Sequence, residues 1–214
     1  MVVPLICPYE TVILAAGDFP VREESLSLLR KAREIICCDS AAEHLLSAGL
    51  EPHHIVGDMD SLAPSVRQRY QSRIRYFPEQ ETGDLAKALR FCMSLNRNGI
   101  HVMGIGGKRE DHILANLSVL FAYSQYLELQ AITNYGVFHP IRQATIFESA
   151  PKQQVSVFSM IPGTLFTYHG LKYPLKDATL AEWWQGALNE ACGPLFTIEI
   201  HGGGALVFRE FMPK

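Results

Sequence analysis

Residues 101–126 read HVMGIGGKREDHILANLSVLFAYSQY, and this stretch decides the fold. His101–Ile105 is a short, mostly apolar run of strand type. Gly104, Gly106 and Gly107 then turn the chain. From His112 to Tyr126 the period changes to that of a helix, with Ile113, Leu114, Leu117, Leu120 and Phe121 on one apolar stripe. Strand, glycine turn and amphipathic helix together make the repeating unit of an α/β sheet.

Working outward, the same alternation fills Thr11 to Thr133. Strand candidates are Thr11–Ala16, Glu34–Cys38, His54–Val56, Ile74–Phe77 and Leu129–Thr133, several of them apolar on both faces, as strands between helix layers are. Helix candidates are Glu23–Ala32, Ala41–Ala48, Pro64–Gln71 and Leu85–Asn96. Ser40 with Glu43 forms a capping-box pattern, and Pro64 suits a first helical turn. The pattern predicts an α/β domain over 1–134, a mainly parallel sheet flanked by helices. After Thr133 short strands dominate: Gly136–Ile141, Thr145–Glu148, Val155–Met160, Thr164–Tyr168, Phe196–His201 and Ala205–Arg209. Pro162-Gly163 and Gly202–Gly204 supply turns, and one helix is expected within Leu180–Glu190. A C-terminal antiparallel β-sandwich over 135–214 follows.

Composition narrows the function. The chain has 214 residues, 48% hydrophobic and 19% charged, which excludes a disordered chain. Lys plus Arg is 19 against 22 Asp plus Glu, a net charge of −3, so no basic surplus exists for a nucleic-acid partner. The longest stretch without a charged residue, Gln153–Leu171, carries too many polar groups to span a bilayer. The N-terminus, MVVPLICPYE, lacks the basic start of a signal peptide and is interrupted by Pro4 and Pro8. Cys7, Cys37, Cys38, Cys92 and Cys192 form no CxxC pair and are odd in number. They read as reduced thiols in the cytoplasm.

The polar residues gather where strands end. In open α/β sheets ligands bind beyond the carboxyl ends of the strands. Here those ends read Ala16-Gly17-Asp18, Cys38-Asp39-Ser40, Gly57-Asp58-Met59-Asp60-Ser61 and Gly104–His112. Asp58 and Asp60 lie two apart in a chain leaving a strand, so they lean to one side, roughly 6–7 Å apart at Cα. Such carboxylates repel unless a cation neutralises them, and their oxygens suit Mg²⁺. A turn cap and a solvated loop acid account for the same two residues. Asp84 opens a helix with Lys87 one turn on, an arrangement that a plain surface ion pair also explains. The glycine loop before Lys108 and Arg109 forms an anion cradle at a helix start, and Arg109 can offer two donors to phosphate. Its spacing is neither GxGxxG nor GxxxxGK[ST]. Asp111 reads equally as a helix N-cap, and His112 with Asn116 as a surface pair at i,i+4. All these groups fall at one edge of one predicted sheet, whereas independent caps would scatter over both.

In this order the segments resemble the thiamine pyrophosphokinase (thiamine diphosphokinase) family, whose members move a pyrophosphoryl group from ATP to thiamine. The resemblance is carried by Asp39-Ser40-Ala41, by GDMDS at 57–61, by TGDLAKAL at 82–89 and by GGKREDHILANL at 106–117. GLKYPLKDATL at 170–180 and Leu188-Asn189-Glu190 extend it to nearly the whole chain. It implies that Asp58, Asp60 and Asp84 hold Mg²⁺, and that Asp39, Ser40, Ser61, Lys87, Gly106, Gly107, Arg109, Asp111, His112 and Asn116 surround ATP. It implies Lys87 and Arg109 as stabilisers of the transferring group and Asp111 as a proton acceptor. It also implies a C-terminal thiamine-binding domain and a homodimer with thiamine bound at the subunit interface, with Asn189 falling in the Leu188-Asn189-Glu190 segment. Trp183 and Trp184 can offer an aromatic face to the thiazolium cation, and two aromatics closing the sandwich core account for them equally. The chain departs from the family at Ser40–Glu43, where Gly-Gly-Ala-Asn is usual, and at Gln80, Glu81 and Gly83, where Lys, Asp and Thr are usual. Leu188 stands in place of a serine. Two rival readings remain on the residues alone, a Mg²⁺-dependent phosphohydrolase with Asp58 as nucleophile and a non-catalytic ATP- or thiamine-binding regulator.

Overall fold

The computed structural model describes residues 2–211. In chain order its elements are β1 (Val2–Val3), β2 (Thr11–Leu14), α1 (Glu23–Lys31), β3 (Glu34–Cys38), α2 (Ala41–Ser47), β4 (His54–Gly57), α3 (Pro64–Arg69) and β5 (Ile74–Tyr76). Then come α4 (Asp84–Ser94), β6 (Ile100–Met103), α5 (Glu110–Tyr123), β7 (Leu129–Ile132), β8 (Gly136–Ile141), β9 (Thr145–Glu148) and β10 (Gln154–Ser159). The chain closes with β11 (Leu165–His169), β12 (Ala178–Thr179), β13 (Asn189–Glu190), β14 (Leu195–His201) and β15 (Ala205–Glu210). Two compact units result, one of residues 8–134 and one of residues 135–211 joined by the N-terminal segment 2–7.

The first unit holds six parallel strands in the order β7-β6-β2-β3-β4-β5. All four residues of β2 and of β6 are buried, as strands covered on both faces must be. From β2 the chain builds outward through β3, β4 and β5, then crosses back along α4 to start β6 on the other side of β2. The strand order therefore reverses between β2 and β6, the point at which open α/β sheets take their ligands. Three main-chain hydrogen bonds knit the loops leaving these two strands: Ala15 N to Met103 O (2.8 Å), Gly17 N to Gly104 O (2.8 Å) and Asp18 N to Gly106 O (2.7 Å). Gly17 is required there, because a Cβ would stand 2.3 Å from the Gly106 carbonyl and 2.4 Å from that of Gly104.

The second unit is a sandwich. One sheet runs β1-β9-β14-β11-β12, antiparallel except that β1 joins β9 in parallel. The other pairs β13-β10-β15-β8, antiparallel throughout. Between them lies an apolar core that includes Phe147, Val155, Val157, Phe166, Phe196, Ile198 and Val207. The rings of Phe147 and Phe196 stack at 5.0 Å. Arg209 is wholly buried over the Phe147 ring and donates to the carbonyl oxygens of Val3, Pro4 and Glu148, tying the N-terminal segment to this unit. That segment lies inside the range expected to form the first domain, yet Val2 and Val3 pair with Ile146 and Phe147.

Four local expectations change. Leu180–Glu190 is not an α-helix but a 3₁₀ turn, Trp183–Gly186, followed by β13. Gly186 packs so tightly that a Cβ would meet the Val157 carbonyl at 1.9 Å, and Leu188 takes a left-handed φ of 60°, which ends any helix. Ser40 makes no side-chain cap, since its backbone is already helical, and Glu43 instead accepts from Ala63 N at 2.8 Å. Helix α5 starts at Glu110 with Arg109 as N-cap, so Asp111 lies in its first turn rather than capping it. Leu114 leaves the apolar stripe and is 53% exposed.

Candidate active site

Polar side chains from the carboxyl ends of β3, β4 and β6, and from the start of α4, meet around a cavity of about 600 Å³ in the first unit. Backbone geometry delivers two of them. Asp39 follows β3 in the left-handed region (φ 43°), a conformation Asp tolerates better than most residues. Met59, also left-handed (φ 64°) and buried, reverses the chain between Asp58 and Asp60. A bulky residue held in that region is local strain of the kind that collects at working sites.

Carboxylate oxygens of Asp39, Asp58 and Asp60 lie within 4.8 Å of one another. Asp39 is 2% exposed; its Oδ2 accepts weakly from Ser61 N at 3.4 Å, while its Oδ1 is buried and accepts no hydrogen bond. Burial raises its pKa, partly offset by Ser61, and the charges of Asp84 and Asp60 push the same way as burial. Asp58 has the opposite setting. Its Oδ2 accepts from Gln80 Nε2 at 2.6 Å and its Oδ1 from Asp60 N at 3.2 Å. The Gln80 bond first, and then the Asp60 amide, hold its pKa below the ordinary carboxylate value. A buried oxygen without a donor beside two neighbouring carboxylates is a donor set that a hard divalent cation satisfies, and this fits Mg²⁺.

Asp84 borders this trio without closing it. Its Oδ1 is 3.1 Å from Lys87 Nζ, which also lies 3.7 Å from Asp58 Oδ2. Burial works against the Lys87 charge, but the hydrogen bond to Asp84 and the charges of Asp84, Asp58 and Glu79 raise its pKa above the usual lysine value. Burial raises the Asp84 pKa against the pull of Lys87. The solvated surface pair that the sequence allowed is therefore a nearly buried one, with Lys87 2% exposed. Gly57 makes the approach possible, since a Cβ there would crowd Asp39 Cβ and Asp84 Oδ1, both at 3.2 Å.

On the other rim, Gly106, Lys108, Arg109, His112 and Asn116 line the cavity with Ser40 and Ser61. Asn116 Nδ2 donates to the Ile105 carbonyl (3.3 Å), fastening the glycine loop to α5. Gly107 faces the Asp18 carboxylate, which occupies the space a Cβ would need. Arg109 grips Asp111 through two bonds, Nε to Oδ1 at 3.1 Å and Nη2 to Oδ2 at 2.6 Å. That grip lowers the Asp111 pKa. Sequence reasoning missed Asp39 as a partner of Asp58 and Asp60, and it missed the bond from Gln80. Neither leaves a periodic signal, because both depend on how loops fold back after the strands end.

In the second unit Trp184 and Leu188 are 75% and 78% exposed, and Trp183, 45% exposed, donates to the Ser159 carbonyl at 3.1 Å. Trp184 thus does not close the sandwich core. Asn189 is buried, and its side-chain amide bonds Tyr173 N (3.0 Å), Tyr173 O (2.8 Å) and Glu190 N (2.8 Å), so it braces the turn at Tyr173.

Comparison with known proteins agrees with this division. The family model described as "Thiamin pyrophosphokinase, catalytic domain" matches residues 26–131, and that described as "Thiamin pyrophosphokinase, substrate-binding domain" matches residues 136–208. A thiamine pyrophosphokinase of Bacillus subtilis (strain 168) is 27% identical over 147 residues, 65% of this chain and 69% of that protein. Among solved structures, the Bacillus subtilis thiamine pyrophosphokinase superposes with a TM-score of 0.78 at 22% identity, covering 95% of this chain and all of that one. The yeast thiamin pyrophosphokinase gives 0.79 at 16% identity, covering 96% and 87%.

Proposed function

The chain belongs to the thiamine pyrophosphokinase family, and we propose that it transfers a pyrophosphoryl group from ATP to the hydroxyl of thiamine at the cavity lined by Asp58 and Asp60, with Asp39 beside them. In this reaction the hydroxyl oxygen attacks the β-phosphorus, the bond from that phosphorus to the α-phosphate oxygen breaks, and AMP leaves with thiamine diphosphate as the other product. The observation that carries the reading is the trio of Asp39, Asp58 and Asp60, with carboxylate oxygens within 4.8 Å of one another and Asp39 Oδ1 buried without a hydrogen bond, beside the point where the strand order reverses. Asp39, Asp58 and Asp60 would hold Mg²⁺, with Asp84 beside them. Bound there, the ion offsets phosphate charge and eases negative charge onto the departing AMP.

The remaining roles belong to the chain's own groups. Lys87 holds Asp58 and Asp84 together and places a cation at the floor of the site. The turn from Gly104 to Lys108 offers backbone amides to phosphate oxygens at the start of α5, with Lys108 and Arg109 adding positive charge. Ser40, Ser61, His112 and Asn116 lie around the same space and complete the nucleotide's surroundings. Asp111, held by Arg109, is a weak base, which suffices because the loose transition state of such transfers demands little proton abstraction. Trp184, with Trp183, offers an indole face to the thiazolium cation. A homodimer, as the resemblance implies, would cover exposed Trp184 and Leu188. Cys7, Cys37, Cys38 and Cys92 are buried free thiols, in keeping with the reducing cytoplasm. No helix among the described residues is long and apolar enough to cross a membrane.

The test is AMP formation from ATP measured with and without thiamine. Thiamine-dependent AMP with matching thiamine diphosphate is expected. Inorganic phosphate released without thiamine would make the protein a phosphohydrolase, and binding without turnover would make it a regulator.

A further inference from the structure

We infer that Gln80 is a positioning residue for Asp58, kept at its station by a turn that Glu79 folds; the inference rests on the metal reading above. Gln80 is exposed at the cavity edge, yet its amide makes the 2.6 Å bond to Asp58 Oδ2. With Asp60 N on Oδ1, both Asp58 oxygens are occupied by donors and the carboxylate has one orientation. An exposed glutamine would ordinarily sample several rotamers, so something must hold the backbone beneath it.

Glu79 does this. One carboxylate oxygen accepts from Glu81 N and Thr82 N, both at 3.0 Å. The other accepts from Thr82 Oγ1 at 2.7 Å and from Arg90 on α4. Arg90 also donates to Thr82 Oγ1 at 3.0 Å. The segment 79–82 is thereby wrapped around one side chain and moored to the helix that carries Asp84 and Lys87. This places Gln80 over Asp58 at the cavity edge. Outer donors of this type orient metal-binding carboxylates, and removing one typically weakens metal binding about 10–100-fold.

The experiment is a Mn²⁺ titration of the nucleotide-free, full-length protein followed by electron paramagnetic resonance. It compares the wild type with Gln80→Met, which keeps the length and removes the donor, and with Asp58→Asn. Thermal unfolding and KM for ATP are measured alongside. We expect Gln80→Met to bind Mn²⁺ about tenfold more weakly, with KM for ATP raised more than kcat falls and an unchanged unfolding midpoint. Wild-type affinity in Gln80→Met, while Asp58→Asn is weakened, overturns the role of Gln80 and leaves the metal reading standing. Wild-type affinity in Asp58→Asn overturns the metal reading and this inference with it.

Discussion

The ammonium of Lys87 sits 3.1 Å from Asp84 Oδ1 on the next turn of the same helix, and only 2% of its side chain is exposed. Its replacement by Met leaves Asp39, Asp58, Asp60 and Asp84 facing one another without a built-in cation. Removing one partner of a buried pair costs about 3 kcal/mol, so Lys87→Met should unfold at lower temperature by that equivalent. Millimolar Mg²⁺ should recover more stability in the variant than in the wild type, read by calorimetry with and without the ion. An equal Mg²⁺ effect in both proteins would contradict the clustering.

Gly17→Ala tests the seam between the loops after β2 and β6. A Cβ at 2.3 Å from the Gly106 carbonyl forces backbone to move, at about 2 kcal/mol for such overpacking. Stability should fall by that amount in urea. KM for ATP should rise as the glycine loop shifts, while KM for thiamine stays near the wild-type value.

Glu79 predicts a pH dependence. Its hydrogen bond from Thr82 and then Arg90 bring its pKa down from 4.5 to about 2. A carboxyl lowered on folding stabilises the native state above its unfolded pKa, and that contribution is lost as pH falls through the folded value. The stability gap between wild type and Glu79→Gln should therefore be full above pH 4.5 and shrink toward pH 2. Urea titrations across that range would show it, and a gap independent of pH would refute it.

Trp184→Ala addresses the second unit. At 75% exposure the indole contributes little to the core, so unfolding should be unaffected. Losing a cation–π contact of about 1 kcal/mol should raise KM for thiamine roughly fivefold and leave KM for ATP unchanged.

Much of the architecture was legible because the first unit obeys a simple alternation. Strands such as Glu34–Cys38, Gly136–Ile141 and Thr145–Glu148 fall where β-branched and aromatic runs place them. The edge of the sheet that gathers the acids was readable too, since Asp39, Asp58 and the glycine loop each follow a strand end. What lay beyond the sequence were contacts made by residues with no period. Asp39 joins Asp58 and Asp60 only because Gly57 leaves room and Met59 reverses the chain. Asp84 meets Lys87 in a nearly buried pair rather than a solvated one, because α4 packs its Leu85–Leu89 face onto β3 and β4. In the second unit the expected helix failed where Gly186 packs against the Val157 carbonyl and Leu188 takes a left-handed φ, neither of which propensity foretells.

The seam at the reversal of strand order is sewn by amides and carbonyls, from Ala15, Gly17 and Asp18 to Met103, Gly104 and Gly106. Side chains can be exchanged along either loop without touching those stitches, provided that a glycine stays where backbones collide. Adding or deleting a single residue slides every stitch out of step. Spacing, rather than composition, is therefore the quantity these loops must preserve.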